Sequence, residues 1–215
     1  MNIQTNQISD ELLMGYASGA LPQAFDLVVA THLSLNQAAH MRLQGFEALG
    51  GAMLEGLDEA PVADESLENV LARINGDAPE APVLAARSDG IFPTPLKQVV
   101  GGDSDAVLWR SIGMGVKTAV VHDDEHATAR LLYIPAGSEM PMHSHSGLEM
   151  TLVLQGAYSD DDGRYARGDL EIATDQDDHT PVADAGEDCI CLIATDGKLK
   201  FKSWLARIAQ PFIGI

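Results

Sequence analysis

Along the first 75 residues the apolar positions recur at spacings of three and four, the period of an amphipathic helix. Ser9-Asp10-Glu11 offers a capping side chain and an acidic first turn to a helix carrying Leu12, Leu13 and Tyr16, with Gly19 as its stop. Pro22 suits the first turn of a second helix, Gln23 to about Leu35, in which Phe25, Val28, Val29, His32 and Leu33 share helical spacing. A third helix is expected from Gln37 to Leu57 through Met41, Leu43, Phe46, Leu49, Met53 and Leu54. After the break at Glu59-Ala-Pro61, Asp64-Glu65-Ser66 starts a short fourth helix with Leu67, Val70, Leu71 and Ile74, which Gly76 ends.

From Asp77 to about Thr94 the period disappears. Pro79, Pro82, Pro93 and Pro95 among small and polar residues read as a stiff, partly extended tether. Beyond it the pattern becomes short runs of strand type: Leu108 to Ile112, Val116 to His122, Ala129 to Ile134, Leu148 to Leu154, Asp169 to Ala173, Cys189 to Ala194 and Leu199 to Phe201. Turn signals such as Ser159-Asp-Asp-Asp-Gly163 and Asp196-Gly197 separate them, which indicates a β-sandwich or small barrel. Ser203 to Gln210 reads as a short closing helix. The expected fold class is therefore α+β multidomain, with a helical bundle over residues 1–77, a Pro-rich linker over 78–96 and an all-β domain over 97–215.

The chemistry concentrates in one stretch of the β region. His143 and His145 stand at i and i+2, so on an extended strand both imidazoles leave one face. Glu149 follows the Ser146-Gly147 break, and its parity groups it with Thr151 and Val153. His179, the one histidine downstream, is the candidate for a fourth ligand from a distant strand. Imidazoles with a carboxylate suit zinc, iron, manganese or nickel. His122 and His126 have a spacing that binds metal on a helix, but the strands flanking them make a solvated hairpin turn the expectation.

The spacing Gly137-x5-His143-x-His145-x3-Glu149-x6-Gly156 resembles the first motif of the cupins at every position. Arg164-Tyr-Ala-Arg-Gly168-Asp169, with His179 after a longer gap, resembles the second. The resemblance implies a double-stranded β-helix barrel holding one divalent metal on His143, His145, Glu149 and His179, zinc first among the choices.

Composition then bears on partners. Thirteen Lys and Arg face 32 Asp and Glu, a net charge of −19. Over residues 1–77 the contrast is sharper, eleven carboxylates against Arg42 and Arg73. Such a chain repels nucleic acid and anionic membranes and attracts basic protein surfaces. No apolar run is long enough to span a bilayer and the N-terminus has no signal-peptide pattern, so the expected compartment is the cytoplasm. The two cysteines, Cys189 and Cys191, share one strand face as neighbours poorly placed for a disulfide, and are expected to be small buried residues.

The order of modules, acidic helices followed by a cupin barrel, resembles the ChrR family of anti-sigma factors over nearly the whole chain. Ser9-Asp-Glu-Leu-Leu13, Ala30-Thr-His-Leu-Ser-Leu35, Leu148-Glu-Met-Thr-Leu-Val-Leu154, Asp188-Cys-Ile-Cys-Leu192 and Gln210-Pro-Phe212 carry the resemblance. It implies that the helical module holds an extracytoplasmic-function sigma factor and that the barrel takes part in releasing it under an oxidative signal. One departure stands out. The family's helical module is built around zinc on His-x3-Cys-x2-Cys and an upstream histidine; here His32 remains, but Asn36, Ala39 and Gln7 occupy the other positions. Neither a methyl nor a carboxamide replaces a thiolate, so no zinc is expected in this module. Two alternatives to a regulator are a metal-dependent, dioxygenase-like cupin enzyme, and a metal-stabilised cupin dimer whose helices have lost their partner.

Overall fold

The computed structural model describes residues 7–76, 90–144, 146–175, 178–197 and 200–201, with only the backbone described for 143–144, 178–179 and 200–201. The expected closing helix at Ser203 to Gln210, and most of the expected tether, lie outside these residues. Four helices come first: α1 (Asp10–Ala17), α2 (Gln23–Leu35), α3 (Gln37–Glu55) and α4 (Ser66–Asn75). The Ser9 side chain accepts from the Leu12 amide at 3.3 Å, which caps α1 as its sequence suggests. Asn36 is the single extended residue between α2 and α3, and its Oδ1 accepts from the Ala39 amide at 3.0 Å.

A fifth helix, α5 (Thr94–Val100), stands where the sequence reads as the end of the tether. Proline is a helix breaker only in the interior. Here Pro93 caps the helix and Pro95 occupies its first turn, where an amide would have no intrahelical partner. Leu96 of α5 is fully buried, and the helix packs on α2.

The strands are β1 (Arg110–Gly113), β2 (Val116–Asp123), β3 (Thr128–Ile134), β4 (His143–Ser144), β5 (Glu149–Gln155), β6 (Ala157–Ser159), β7 (Arg164–Ala166), β8 (Leu170–Ala173), β9 (Asp178–His179), β10 (Val182–Ala183), β11 (Cys189–Thr195) and β12 (Lys200–Phe201). Six of them form an antiparallel sheet in the order β1-β2-β3-β11-β5-β8, and two three-stranded sheets run β10-β6-β7 and β12-β4-β9. This is the β-rich, cupin-type domain expected after the helices.

The large sheet is buried on both faces at β5 and β11, and this explains why these two strands lack the apolar–polar alternation of a half-exposed strand. On one face Leu131, Met150, Leu152, Leu154, Leu170 and Leu192 pack with Leu13, Phe25, Val28, Leu43 and Leu96 of the helices in a single core. On the other, Val153, Cys189, Cys191 and Ile134 pack with Tyr158, Tyr165 and Ala183 of the smaller β10-β6-β7 sheet. Gly156 makes the tight exit from β5: its φ is +67°, and a Cβ there would meet the Asp188 carbonyl oxygen at 2.7 Å.

Candidate metal centre and the helix–barrel contact

Backbone pairing places two of the four candidate ligands together. β4 pairs antiparallel with β9 in a register that sets His143 directly opposite His179, although 36 positions separate them in the chain. Register partners share one face of a sheet. Glu149 opens β5 between Thr195 of β11 and Ala173 of β8, and its side chain is buried, 6% exposed. It shares the barrel-facing side of β5 with Thr151 and Val153, while Met150, Leu152 and Leu154 face the helices. His145 lies outside the described residues. Among the described side chains no group of three or more His, Cys, Asp or Glu is close enough to hold a metal.

The barrel interior around Glu149 holds polar groups that the sequence does not single out. Thr151 Oγ1 donates to Glu149 Oε1 at 3.3 Å, and Thr151 is the register partner of Glu171 on β8. Glu171, 7% exposed, accepts from the Tyr158 hydroxyl, and Tyr158 stacks on Tyr165 with ring centroids 5.1 Å apart. Burial, followed by the Glu171 charge, pushes the Tyr158 phenol well above its ordinary value. Arg130 of β3 has its pKa lowered by burial, against the raising influence of the Glu149 and Asp123 carboxylates. A polar line therefore runs from Glu149 into the barrel. Glu171 is visible in sequence only as the alternate of Ala173, and nothing local indicates its phenol partner.

Cys189 and Cys191 are both buried and unbridged, with their sulfurs 3.6 Å apart. The contact with Cys189, then burial, raises the Cys191 thiol well above its usual pKa, so Cys191 is not set up as a thiolate nucleophile. His122 Nε2 lies 2.9 Å from Asp124 in the exposed hairpin, and His126 is solvated, in line with the turn expected there.

In the helical part, Asn36 is committed to capping α3, the Ala39 methyl is buried, Gln7 is exposed, and His40 faces solvent. His32 is fully buried; its Nδ1 lies 3.1 Å from the Gly168 carbonyl oxygen. A carbonyl only accepts, so Nδ1 carries the proton and Nε2 is left as a bare acceptor, with no partner among the described residues.

The family model of the ChrR cupin-like domain matches residues 97–198. Over 210 residues, 98% of each chain, the sequence is 45% identical to the anti-sigma-E factor ChrR of Cereibacter sphaeroides. The chain belongs to the ChrR family of anti-sigma factors. The fold agrees: the crystal structure of Rhodobacter sphaeroides SigE in complex with the anti-sigma ChrR contains a chain 44% identical to this one, with a TM-score of 0.78 over 88% of this chain and 98% of that one. At the two positions where the resemblance implies zinc cysteines, Asn36 caps a helix and Ala39 adds a methyl to the core. Among the described residues no helix is long and apolar enough to cross a membrane.

Proposed function

We propose that this chain is a regulator and not an enzyme: an anti-sigma factor whose helical part, residues 1–77, sequesters an extracytoplasmic-function sigma factor in the cytoplasm. The observation that carries the reading is an exposed apolar face on the far end of α3 and on α4. Leu49, Met53, Leu54 and Leu57 are 59–69% exposed, and Leu67, Val70, Leu71 and Ile74 are 46–69% exposed. α4 has no buried residue although its apolar side chains keep helical spacing. Such a face is the form an amphipathic helix takes when its groove belongs to another protein. Glu47, Glu55, Asp58, Glu59, Glu65 and Glu68 flank it, with Arg73 as the nearby cation, so the fitting partner is basic and apolar. A sigma factor's surfaces for DNA and polymerase have that chemistry. The 45% identity to a protein named as an anti-sigma factor supports the same conclusion.

In this reading residues 78–96 link that part to the barrel, the last of them already folded into α5 against α2, and the barrel, residues 97–215, binds one divalent metal through His143, His145, Glu149 and His179. What supports the reading is the His143–His179 backbone register, the burial of the Glu149 carboxylate and the donor chemistry itself, since imidazole and carboxylate suit zinc, with iron, manganese or nickel as alternatives. Bound there, the metal would supply a centre whose ligands can be oxidised or exchanged. The chain's own groups would orient its ligand: Thr151 holds one Glu149 oxygen, and Tyr158 holds Glu171, the register partner of Thr151.

Co-expression with each extracytoplasmic-function sigma factor of its own genome, with metal counted in the purified sample, tests the proposal. A 1:1 complex carrying one metal is expected. A metal-loaded chain that captures none of them would overturn the anti-sigma reading and favour an enzyme or a cupin dimer.

A further inference from the structure

Besides the apolar core they share, the helical part and the barrel are joined by hydrogen bonding at a turn. Gly168, between β7 and β8, lies beneath the C-terminal half of α2: its carbonyl receives the His32 Nδ1–H at 3.1 Å, and a Cβ built on it would stand 3.7 Å from Leu35 Cβ. The neighbouring Arg167 reaches the other side of the junction, where Nη1 donates to the carbonyl of Ile91, just ahead of α5, at 2.9 Å and also to that of Leu154.

The same turn is bonded to β5. The Gly168 amide donates to the Val153 carbonyl at 2.9 Å, and the Val153 amide to the Asp169 carbonyl at 3.1 Å. The turn closes on itself through Asp169 Oδ2, which accepts from the Ala166 amide at 2.9 Å. β5 begins at Glu149, the candidate metal carboxylate. One strand therefore carries the metal end of the barrel and the anchor of the turn on which α2 rests. The apolar face on α3 and α4 points elsewhere and stays exposed, so the barrel and a protein partner use different faces of the helical part.

We propose that His32 latches the helical part to the barrel at the Arg167–Asp169 turn, and that this latch transmits the state of the barrel to the sigma-binding helices. The sigma-binding half of this statement rests on the function proposed above. His32 acts through Gly168 and is a positioning residue. His32 bonds to a backbone carbonyl 136 residues away in the chain. Coupling carried this way needs no ligand set inside the helices, only a contact whose two sides respond to each other.

Hydrogen exchange on the full metal-loaded chain tests the latch from both sides. His32→Leu removes the donor, His32→Asn keeps an N–H near the Nδ1 position, and Gly168→Ala strains a backbone held at φ +92° from the barrel side. His32→Leu is expected to speed exchange about tenfold in residues 23–35 and 166–169 while β3 and β11 keep their protection, and His32→Asn to restore the wild-type pattern. Gly168→Ala is expected to loosen α2 to a similar degree, which keeps the test open if the leucine variant misfolds. A Gly168→Ala chain with a loosened turn and an unchanged α2 would overturn the latch. In the sigma complex, stripping the metal with EDTA is expected to speed release from the wild type and to have little effect on His32→Leu, with equal metal loss from both; equal acceleration would overturn the coupling. A wild-type chain that binds no sigma factor sinks the function reading alone, and the exchange comparison still decides the latch.

Discussion

At the scale of single residues, the chemistry depends on what surrounds each side chain. Glu149 is buried and one of its oxygens accepts from the Thr151 hydroxyl, a setting suited to a metal ligand. Glu149→Ala is expected to abolish stoichiometric metal while α1 to α3, whose core contacts it does not touch, keep their helical signal; elemental analysis beside far-ultraviolet dichroism checks both, and full metal retention would remove Glu149 from the ligand set. His32 makes a different prediction. Its pKa is lowered from 6.5, by burial first, against the raising influence of the Gly168 hydrogen bond and the Asp169 charge. Since the folded value lies below the unfolded one, the unfolded chain takes up the proton first as pH falls. The group's contribution to stability is then complete above pH 6.5 and is lost as pH drops below 6.5 towards the depressed value. Denaturant midpoints measured down this range should fall more steeply for the wild type than for His32→Asn, because the other histidines are common to both. Parallel curves would mean that His32 titrates as an exposed histidine does.

At the scale of elements, α4 is the clearest case of a structure without its counterpart. Leu71 and Ile74 are 46% and 69% exposed, so aspartate at either position removes no core contact and should change stability by no more than about 0.5 kcal/mol. The same substitutions are expected to weaken sigma capture by at least about tenfold, since a charge would enter a groove built for an apolar side chain. Melting temperature and a pull-down titration separate the two effects, and undiminished capture would move the interface off α4. This element was legible in sequence, as were α1 to α3, the main strands and the parity of Glu149, because each is a local pattern of three to seven residues. α5 was not legible: Pro93 and Pro95 read as breakers until their place in a first turn is known. β4 and β9, two residues each, carry no periodic signal, and their His143–His179 pairing exists only through the register. Nor does any local pattern pair Tyr158 with Glu171, or His32 with Gly168, because those contacts depend on which strands and helices become neighbours.

At the scale of the whole molecule, the sequence divides the chain at a change of period, whereas the core crosses that division. Leu13, Phe25, Val28 and Leu43 from the helices share one buried cluster with Leu131, Met150, Leu152 and Leu192 from the large sheet, so one face of that sheet is covered by the helices. Separating the two would expose fully buried leucines on both sides, each worth roughly 1.5–3 kcal/mol when returned to water. A helical unit of this size has little core of its own to set against that loss, and zinc on cysteines is not available to it. The helices and the barrel are therefore expected to unfold together. Trp109 gives the barrel a local probe, since it packs edge-on against Tyr133 of β3 with centroids 6.0 Å apart and its indole N–H donates to the Ser104 carbonyl. With Trp204 replaced by phenylalanine, Trp109 is the only tryptophan, and its fluorescence reports the barrel while far-ultraviolet dichroism reports mainly the helices. The two signals should trace one transition with one midpoint. Helices that melt clearly before Trp109 is exposed would show that α2 rests on the barrel without depending on it, and a change in the barrel would then have no means of reaching the face offered to the sigma factor.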